Sequence, residues 1–296
     1  MAHVFCDWLD VTYAPDDCPY PELNTLLLAC GFLVSRDRSG KCVYVPPNKR
    51  GTIVVLHSKR FAKISISGAS CGFLRSSGYW LDTLAVLASS PHKVTRVDAA
   101  IDLPLDAAPF IRKLCKRYPD GWANLSRKAQ QITRVVSTRS DGQESGTWYV
   151  GHSDSGNQSL RVYDKSLQML DRYGEVIPTT TRIEVTASRH KGATLRDAET
   201  PAALFWSIAA PTVLKAPEGI PMWTPNSDTH WLASPRSFVP AEILKRRIEN
   251  SAELDAFLML ADSVGPYGRE YMLRLLHDRV QVQSDCQVQT KPEAAA

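Results

Sequence analysis

The feature that most limits the fold is an alternation of polar and apolar residues that recurs along the chain. Residues 95–103, 159–165 and 180–186 all alternate with a period of two. Successive side chains of a β-strand point to opposite faces of a sheet, so this pattern is typical of half-buried strands. The chain is therefore predicted to contain a sheet with one apolar face and one polar face.

The predicted polar face carries an unusual set of side chains. They are Asp10, Arg96, Asp98, Asp102, Tyr149, Arg161, Tyr163, Lys165, Arg182 and Glu184. If the strands share one sheet, several carboxylates lie close together, and this is costly unless a cation binds between them. The convergence indicates a functional site, although ordinary surface ion pairs within single strands are the alternative for Arg96 with Asp98 and for Arg182 with Glu184.

The residue types on this face suit phosphoryl transfer. Carboxylate oxygens are ligands that Mg²⁺ and Mn²⁺ accept, and such an ion polarises a phosphate oxygen. We predict that Asp98 and Glu184 ligate the metal, with Asp102 or Asp10 as a third carboxylate. A nearby tyrosine can then attack the phosphorus, and arginine and lysine stabilise the developing charge.

Tyr163 is the predicted nucleophile, with Arg161 and Lys165 as its catalytic neighbours. The three residues alternate within the segment LRVYDK and so fall on one side of a strand. We expect the two cations to favour the phenolate form of the tyrosine, whose unperturbed pKa is about 10. Tyr149 is the alternative nucleophile, and a packed aromatic ring with a hydrogen-bonded hydroxyl is the structural alternative for Tyr163.

Basic residues cluster locally, as expected of a protein that binds a polyanion. The predicted DNA-binding residues are Lys59, Arg60, Lys63, Arg182, Lys245, Arg246 and Arg247. Solvated helix faces are the alternative for these clusters, and a packed helical cap is the alternative for the C-terminal one.

Composition and motifs exclude several other classes of protein. The chain is 44% apolar and 22% charged over 296 residues, which argues against wholesale disorder. No apolar run approaches the ~20 residues that span a bilayer, and the first residues do not form a signal peptide, so we expect a cytoplasmic protein that does not bind membranes. The sequence contains no GxxxxGK(S/T) loop or HExxH helix, and no CxxC pair among its seven cysteines.

The order of predicted elements indicates an α+β fold with an antiparallel sheet. A strand–helix rhythm recurs in two halves, about 1–92 and 93–215, which together form the predicted catalytic domain 1–215. The proline-rich segment 216–240 is predicted to be a linker, 241–283 a small helical C-terminal region, and 284–296 a disordered tail.

Four segments together resemble the replication initiation factor family. They read TRVDAAIDL from Thr95, TWYVGHSDS from Thr147, SLRVYDK from Ser159 and TRIEV from Thr181. The segments ATLRD from Ala193 and PAALFW from Pro201 are similar to the branch found in filamentous bacteriophages. The family also includes rolling-circle initiators of Gram-positive plasmids.

This resemblance implies a fold of two ferredoxin-like halves with the active site on one sheet face. It implies a tyrosine that nicks the double-stranded origin and stays on the 5′ phosphate, with a carboxylate-bound divalent metal. The partners implied are origin DNA, double- and single-stranded, in a bacterial host cytoplasm, together with the host helicase and polymerase. Two rivals remain: a DNA-binding regulator that has lost catalysis, and a mobilisation relaxase with the same chemistry.

Overall fold

The computed structural model describes residues 3–37, 41–125, 128–138, 144–151, 158–188 and 192–224, in which the chain forms eleven strands and seven helices. The strands are β1 (Val4–Tyr13), β2 (Leu33–Arg36), β3 (Cys42–Val45), β4 (Ile53–His57), β5 (Ala62–Ser67), β6 (His92–Leu103), β7 (Trp122–Leu125), β8 (Lys128–Thr138), β9 (Glu144–Val150), β10 (Ser159–Asp164) and β11 (Thr181–Ser188). The helices are α1 (Tyr20–Ala29), α2 (Gly68–Ser76), α3 (Trp80–Ala88), α4 (Ala107–Arg117), α5 (Lys165–Tyr173), α6 (Leu195–Glu199) and α7 (Ala202–Ala209).

The described strands form one sheet with the order β2-β3-β4-β5-β1-β6-β11-β10-β9-β8-β7. All the pairings between them are antiparallel, and the predicted α+β class with an antiparallel sheet is confirmed. The two strands that open the predicted halves, β1 and β6, pair with each other at the centre, and a run of consecutive antiparallel strands flanks each of them. The finer expectation of ferredoxin-like halves is not confirmed.

The apolar face of the sheet forms the core. The alternation in β6, β10 and β11 buries Val97, Val162 and Val185 completely, while the residues between them point to the other face. Helices α4, α6 and α7 contact the central strands, and the fully buried Phe205 of α7 belongs to this core. Since burial of apolar surface is the main favourable term in folding, this alternation fixes which face of each strand is left for function.

Every described residue belongs to one structural unit, Met1–Trp231. Residues 216–224 contain neither helix nor strand, and Trp223 is held to the unit because its indole Nε1 donates to Asp197 Oδ1 over 2.9 Å. The remainder of the predicted linker, the predicted helical region 241–283 and the tail lie outside the described residues, as do Lys245, Arg246 and Arg247. Among the helices that are described, none has the length and apolar character needed to cross a membrane.

Candidate active site

The polar face of the five central strands brings most of the predicted site residues together. They are Asp10 of β1, Lys63 of β5, Asp98 and Asp102 of β6, Arg161 and Tyr163 of β10, Arg182 and Glu184 of β11, and Lys165 at the start of α5. Lys59 and Arg60 do not join them. They lie in the exposed turn between β4 and β5, which is beside the C-terminal end of β1. Tyr163 lies toward the opposite end of the strands, in register with the N-terminal end of β1.

Buried carboxylates on this face are covered by cations that reach solvent. Arg96 Nε donates to Asp98 Oδ1 over 2.8 Å, Arg161 pairs with Glu184, and Lys63 Nζ lies 2.7 Å from Asp10 Oδ2. The side chains of the three cations are 30–39% exposed, whereas those of Asp98 and Glu184 are fully buried. The predicted ion pair of Arg96 with Asp98 is therefore present, whereas Glu184 pairs with Arg161 of the next strand rather than with Arg182.

Glu184 and Asp98 affect each other electrostatically. Burial, followed by the negative charge of Asp98, raises the pKa of Glu184 to about 8, and the guanidinium of Arg161 opposes this rise. Asp98 lies on β6 two residues before Ala100, the residue directly opposite Glu184, so the two carboxylates are diagonal neighbours on adjacent strands. A buried pair of like charges is the arrangement that favours a bound proton or a bound cation.

Tyr163 is a buried proton donor rather than an exposed phenolate. Its hydroxyl donates to Glu184 Oε2 over 3.3 Å, and its side chain is almost completely buried. Burial raises the pKa of Tyr163, and the negative charge of Glu184 raises it further, against the opposing effects of Arg182 and Arg161. The expectation that neighbouring cations favour the phenolate is therefore wrong for this state of the protein, because desolvation and Glu184 outweigh them.

Tyr149 lies on the next strand and faces the same side of the sheet. It is directly opposite Arg161 in the pairing of β9 with β10, and it is half-buried, so it is more accessible than Tyr163. The structure places both tyrosines beside Arg161, and Tyr149 remains the alternative nucleophile.

The alternation predicted Lys165 to be the last residue of a strand, but in the structure it is the first residue of α5. Asp164 ends β10 and caps α5, because its carboxylate accepts a hydrogen bond from the backbone N–H of Leu167 over 2.8 Å. Lys165 nevertheless stays close to the polar face. Burial and the positive charge of Arg182 lower the pKa of its ammonium group, whose Nζ donates to Gln168 Oε1 over 2.8 Å.

Arg182 forms a fork between two carboxylates, one of which the sequence did not indicate. Its Nε and Nη2 atoms donate to Asp102 Oδ1 and Oδ2 over 2.6 and 2.7 Å, and Nη1 donates to Asp7 Oδ1 over 2.9 Å. Strict alternation with Leu9 assigns Asp7 to the apolar face. A register shift between Cys6 and Trp8 turns it to the polar face instead.

The carboxylates fit a divalent cation only in part. Within the described residues, no group of three or more histidine, cysteine, aspartate or glutamate side chains is arranged to hold a metal ion. Asp98 and Glu184 are nonetheless the oxygen donors that Mg²⁺ or Mn²⁺ accepts, and their mutual repulsion suits a cation. All four carboxylates are paired with a cation, Asp98 with Arg96, Glu184 with Arg161, Asp102 with Arg182 and Asp10 with Lys63, so the whole ligand set stays a prediction.

Comparison with known proteins finds similarity to solved structures and none to known sequences or families. No protein-family model matches the chain, and no curated protein sequence matches it. Among solved structures, the chain is similar to a rolling-circle replication initiator protein from Geobacillus stearothermophilus, with 18% sequence identity and a TM-score of 0.47, over 67% of this chain and 78% of that chain. Similarity at this level does not transfer a function, so the function is drawn from the residues of the site.

Proposed function

We propose that this protein is a metal-dependent DNA endonuclease and strand transferase that initiates rolling-circle replication. The observation that carries the proposal is the hydrogen bond from the Tyr163 hydroxyl to Glu184, a buried carboxylate beside Asp98 on a face lined by arginines. A potential nucleophile next to a carboxylate that can accept its proton is the arrangement that covalent catalysis requires. The resemblance of the Tyr163 segment to the initiator family, and of the segments from Ala193 and Pro201 to its phage branch, supports the same assignment.

The nicking step can be written with the residues of this face. With Glu184 in its ionised form, which predominates above its raised pKa of about 8, the phenol oxygen of Tyr163 attacks the phosphorus, its proton passes to Glu184 Oε2, and the bond between phosphorus and the 3′ oxygen breaks. The 3′ oxygen leaves as a hydroxyl after taking a proton from Lys165, whose lowered pKa makes its ammonium group a better acid than usual. The products are a 5′-phosphotyrosyl protein and a free 3′ hydroxyl that can prime a host polymerase.

Asp98 and Glu184 would hold the divalent cation, Mg²⁺ or Mn²⁺, with Asp10 as the proposed third carboxylate, because both oxygens of Asp102 accept hydrogen bonds from Arg182. The cation would supply charge stabilisation to the phosphate oxygens. Arg161 contributes to the same task, since its partly exposed guanidinium lies over the Tyr163 ring at 5.7 Å from the ring centroid.

Lys63, Arg96 and Arg161 are the proposed contacts to the DNA strand on this face. They lie on β5, β6 and β10, and their partly exposed side chains point outward over the buried acids. Trp8 lies in the same region, with the Arg96 guanidinium 4.9 Å from its ring centroid, and offers an aromatic surface to a base. Origin DNA is therefore the proposed partner, with host helicase and polymerase acting on the nicked product.

Incubation with supercoiled cognate DNA and Mg²⁺ or Mn²⁺ tests this function. We expect a nicked circle that carries covalently attached protein, visible as a band of DNA label that migrates with the protein in denaturing gels. The matched control is the Tyr163→Phe variant, which keeps the ring and lacks the nucleophilic oxygen. Nicking without attached protein would contradict the tyrosine mechanism.

The burial of Tyr163 favours one rival, a DNA-binding regulator without catalysis. A buried phenol with a raised pKa is a structural residue unless the DNA strand reaches it. The two functions differ in one result, because the regulator would bind the origin and leave supercoiled DNA intact at every metal concentration.

A further inference from the structure

We propose that Arg182 is a positioning residue for Tyr163 and not a DNA contact, and that Asp7 and Asp102 serve to hold it. This inference rests on the proposed nicking function. It changes the roles expected from the sequence for Arg182, as a DNA-binding residue, and for Asp102, as a metal ligand.

The guanidinium of Arg182 has each of its three nitrogen atoms engaged by a carboxylate. Asp102 accepts two hydrogen bonds, from Nε and Nη2, and Asp7 accepts one from Nη1, all between 2.6 and 2.9 Å. Bidentate pairing of this kind uses the planar fork that distinguishes arginine from lysine. Two carboxylates therefore already neutralise the positive charge with which Arg182 would attract a phosphate.

The side chain of Arg182 is also enclosed. It is 9% exposed, in contrast to the 39% exposure of Arg161 on the neighbouring strand. The ring of Phe5 covers it at 5.0 Å from the guanidinium carbon to the ring centroid, and Arg75 approaches the same ring at 5.1 Å. DNA on the sheet face would therefore meet Arg161 and not Arg182.

The local backbone conformation at Asp7 places its carboxylate next to the Arg182 guanidinium. The register shift between Cys6 and Trp8 turns Asp7 to the polar face, and Gly68 at the start of α2 packs directly against it. A Cβ atom on Gly68 would lie 2.5 Å from both the carbonyl oxygen and the Oδ1 atom of Asp7, so the close approach requires glycine. Asp7 is thus fixed by the fold on one side and by Arg182 on the other.

Because Arg182 is held in place by Asp7 and Asp102, it can in turn position the proposed nucleophile, Tyr163. In the sheet, it lies directly opposite Asp102 of β6 on one side and directly opposite Tyr163 of β10 on the other. Opposite side chains on one face of antiparallel strands have Cβ atoms about 5 Å apart and therefore pack together. The fork fixes the side chain that flanks the Tyr163 ring, and its positive charge stabilises the charge that develops on the phenol oxygen during attack.

Binding and covalent reaction, measured separately on the full-length chain, test this inference. Binding is followed as the affinity for a fluorescent oligo(dT) strand over a series of salt concentrations. Reaction is followed as the rate at which a random-sequence single-stranded oligonucleotide library, at saturating concentration with Mn²⁺, becomes covalently attached. Removing a phosphate contact lowers the slope of log affinity against log salt by about 0.7 for single strands.

We expect Arg182→Gln to leave the salt slope unchanged, and Arg182→Lys to leave the affinity unchanged while lowering the reaction rate on the order of tenfold. Asp7→Asn should also slow the reaction without altering binding, and it tests the inference if Arg182→Gln does not fold. Arg161→Gln is the comparison for a true phosphate contact and should lower the slope. Arg75→Lys, on the other side of Phe5, is the control for loss of packing and should react as the wild type does.

A lower salt slope in Arg182→Gln would overturn this inference, and so would a wild-type reaction rate in both Arg182→Lys and Asp7→Asn. Neither result would contradict the proposed nicking function. Failure of the wild-type protein to attach to any strand would overturn the proposed function, and the inference with it.

Discussion

The hydroxyl of Tyr163 donates a hydrogen bond to Oε2 of Glu184 on the adjacent strand, over 3.3 Å. The other oxygen of the same carboxylate accepts from Arg161, so Glu184 joins the proposed nucleophile to the proposed phosphate-binding cation. Glu184 is buried next to Asp98, and its raised pKa of about 8 places its titration close to neutral pH. In the proposed mechanism, the reactivity of the face therefore depends on this one carboxylate.

Replacement of Tyr163 tests the nucleophile. Tyr163→Phe removes the oxygen that forms the phosphotyrosyl bond in the proposed mechanism, so we expect loss of the covalent DNA adduct with unchanged affinity for single-stranded DNA. Tyr149→Phe is the matched control, since Tyr149 lies on the same face beside Arg161. An adduct that persists in Tyr163→Phe and disappears in Tyr149→Phe would transfer the role to Tyr149.

Replacement of the buried acids tests the proposed cation site. Asp98→Asn and Glu184→Gln should reduce nicking far more than DNA binding, because binding depends on Lys and Arg contacts to phosphates. Each variant should also bind Mn²⁺ more weakly than the wild type in a direct titration by electron paramagnetic resonance. Wild-type nicking rates in both variants would show that these carboxylates have no catalytic role.

The raised pKa of Glu184 predicts a pH dependence of stability with a definite sign. Between the ordinary value of 4.5 and about 8, the unfolded chain releases the proton of Glu184 while the folded chain keeps it. The free energy of unfolding should therefore fall as pH rises through this window, by at most about 1.4 kcal/mol for each pH unit. Urea unfolding at pH 5 and pH 8 measures this fall, which should be smaller in Glu184→Gln. Equal pH dependence in the two proteins would contradict the burial of a protonated Glu184.

Two glycines of α2 provide a matched test of the packing against Asp7. Gly68→Ala places a methyl group 2.5 Å from the Asp7 backbone oxygen, and we expect it to destabilise the protein by about 1–3 kcal/mol. Gly72→Ala, one turn later, meets nothing closer than 3.9 Å and should be neutral or stabilising by roughly 0.5–1 kcal/mol. Thermal or urea unfolding of the two variants compares them directly, and equal stabilities would contradict the close approach.

Truncation tests the predicted role of the C-terminal segment. The cut belongs after Thr224, because Trp223 is hydrogen-bonded to Asp197 and Ser207 and packs against the core. If residues 225–296 grip duplex DNA, the shortened protein should fold, attach to single strands at the wild-type rate, and bind duplex origin with a shallower salt dependence. Unfolding of the shortened protein would identify the segment as part of the core, and unchanged duplex affinity would remove its role in DNA binding.

The alternation of residues was sufficient to predict the polar face and most of its members. β6, β10 and β11 were recognisable because apolar and polar residues alternate over most of their length, and their faces follow from that pattern. β2 was missed because all four of its residues are exposed, so it carries no burial pattern. Helix α2 was missed because its sequence, GASCGFLRS, is short and contains two glycines.

The electrostatic details could not be predicted from the sequence. Asp7 was missed because one extra residue between Cys6 and Trp8 changes the phase of the alternation. The apolar residues before and after this point alternate out of phase with each other, and this offset was the signal in the sequence that could have revealed the shift. The direction of the Tyr163 pKa was mispredicted because the sequence shows its charged neighbours and does not show its burial. Arg161 reaches across to Glu184 of the neighbouring strand, a pairing that depends on register and not on spacing along the chain.

The pairing of buried acids with outward-pointing cations has a consequence for the kinetics of DNA capture. Five carboxylates and five cations share the face: Asp7, Asp10, Asp98, Asp102 and Glu184 with Lys63, Arg96, Arg161, Lys165 and Arg182. Opposite charges so close together cancel each other beyond a Debye length, which is about 8 Å at physiological salt. The face therefore exerts little long-range attraction on a polyanion. If it binds DNA as proposed, we expect the rate of encounter to be set by basic residues elsewhere, such as Lys59 and Arg60 in their exposed turn.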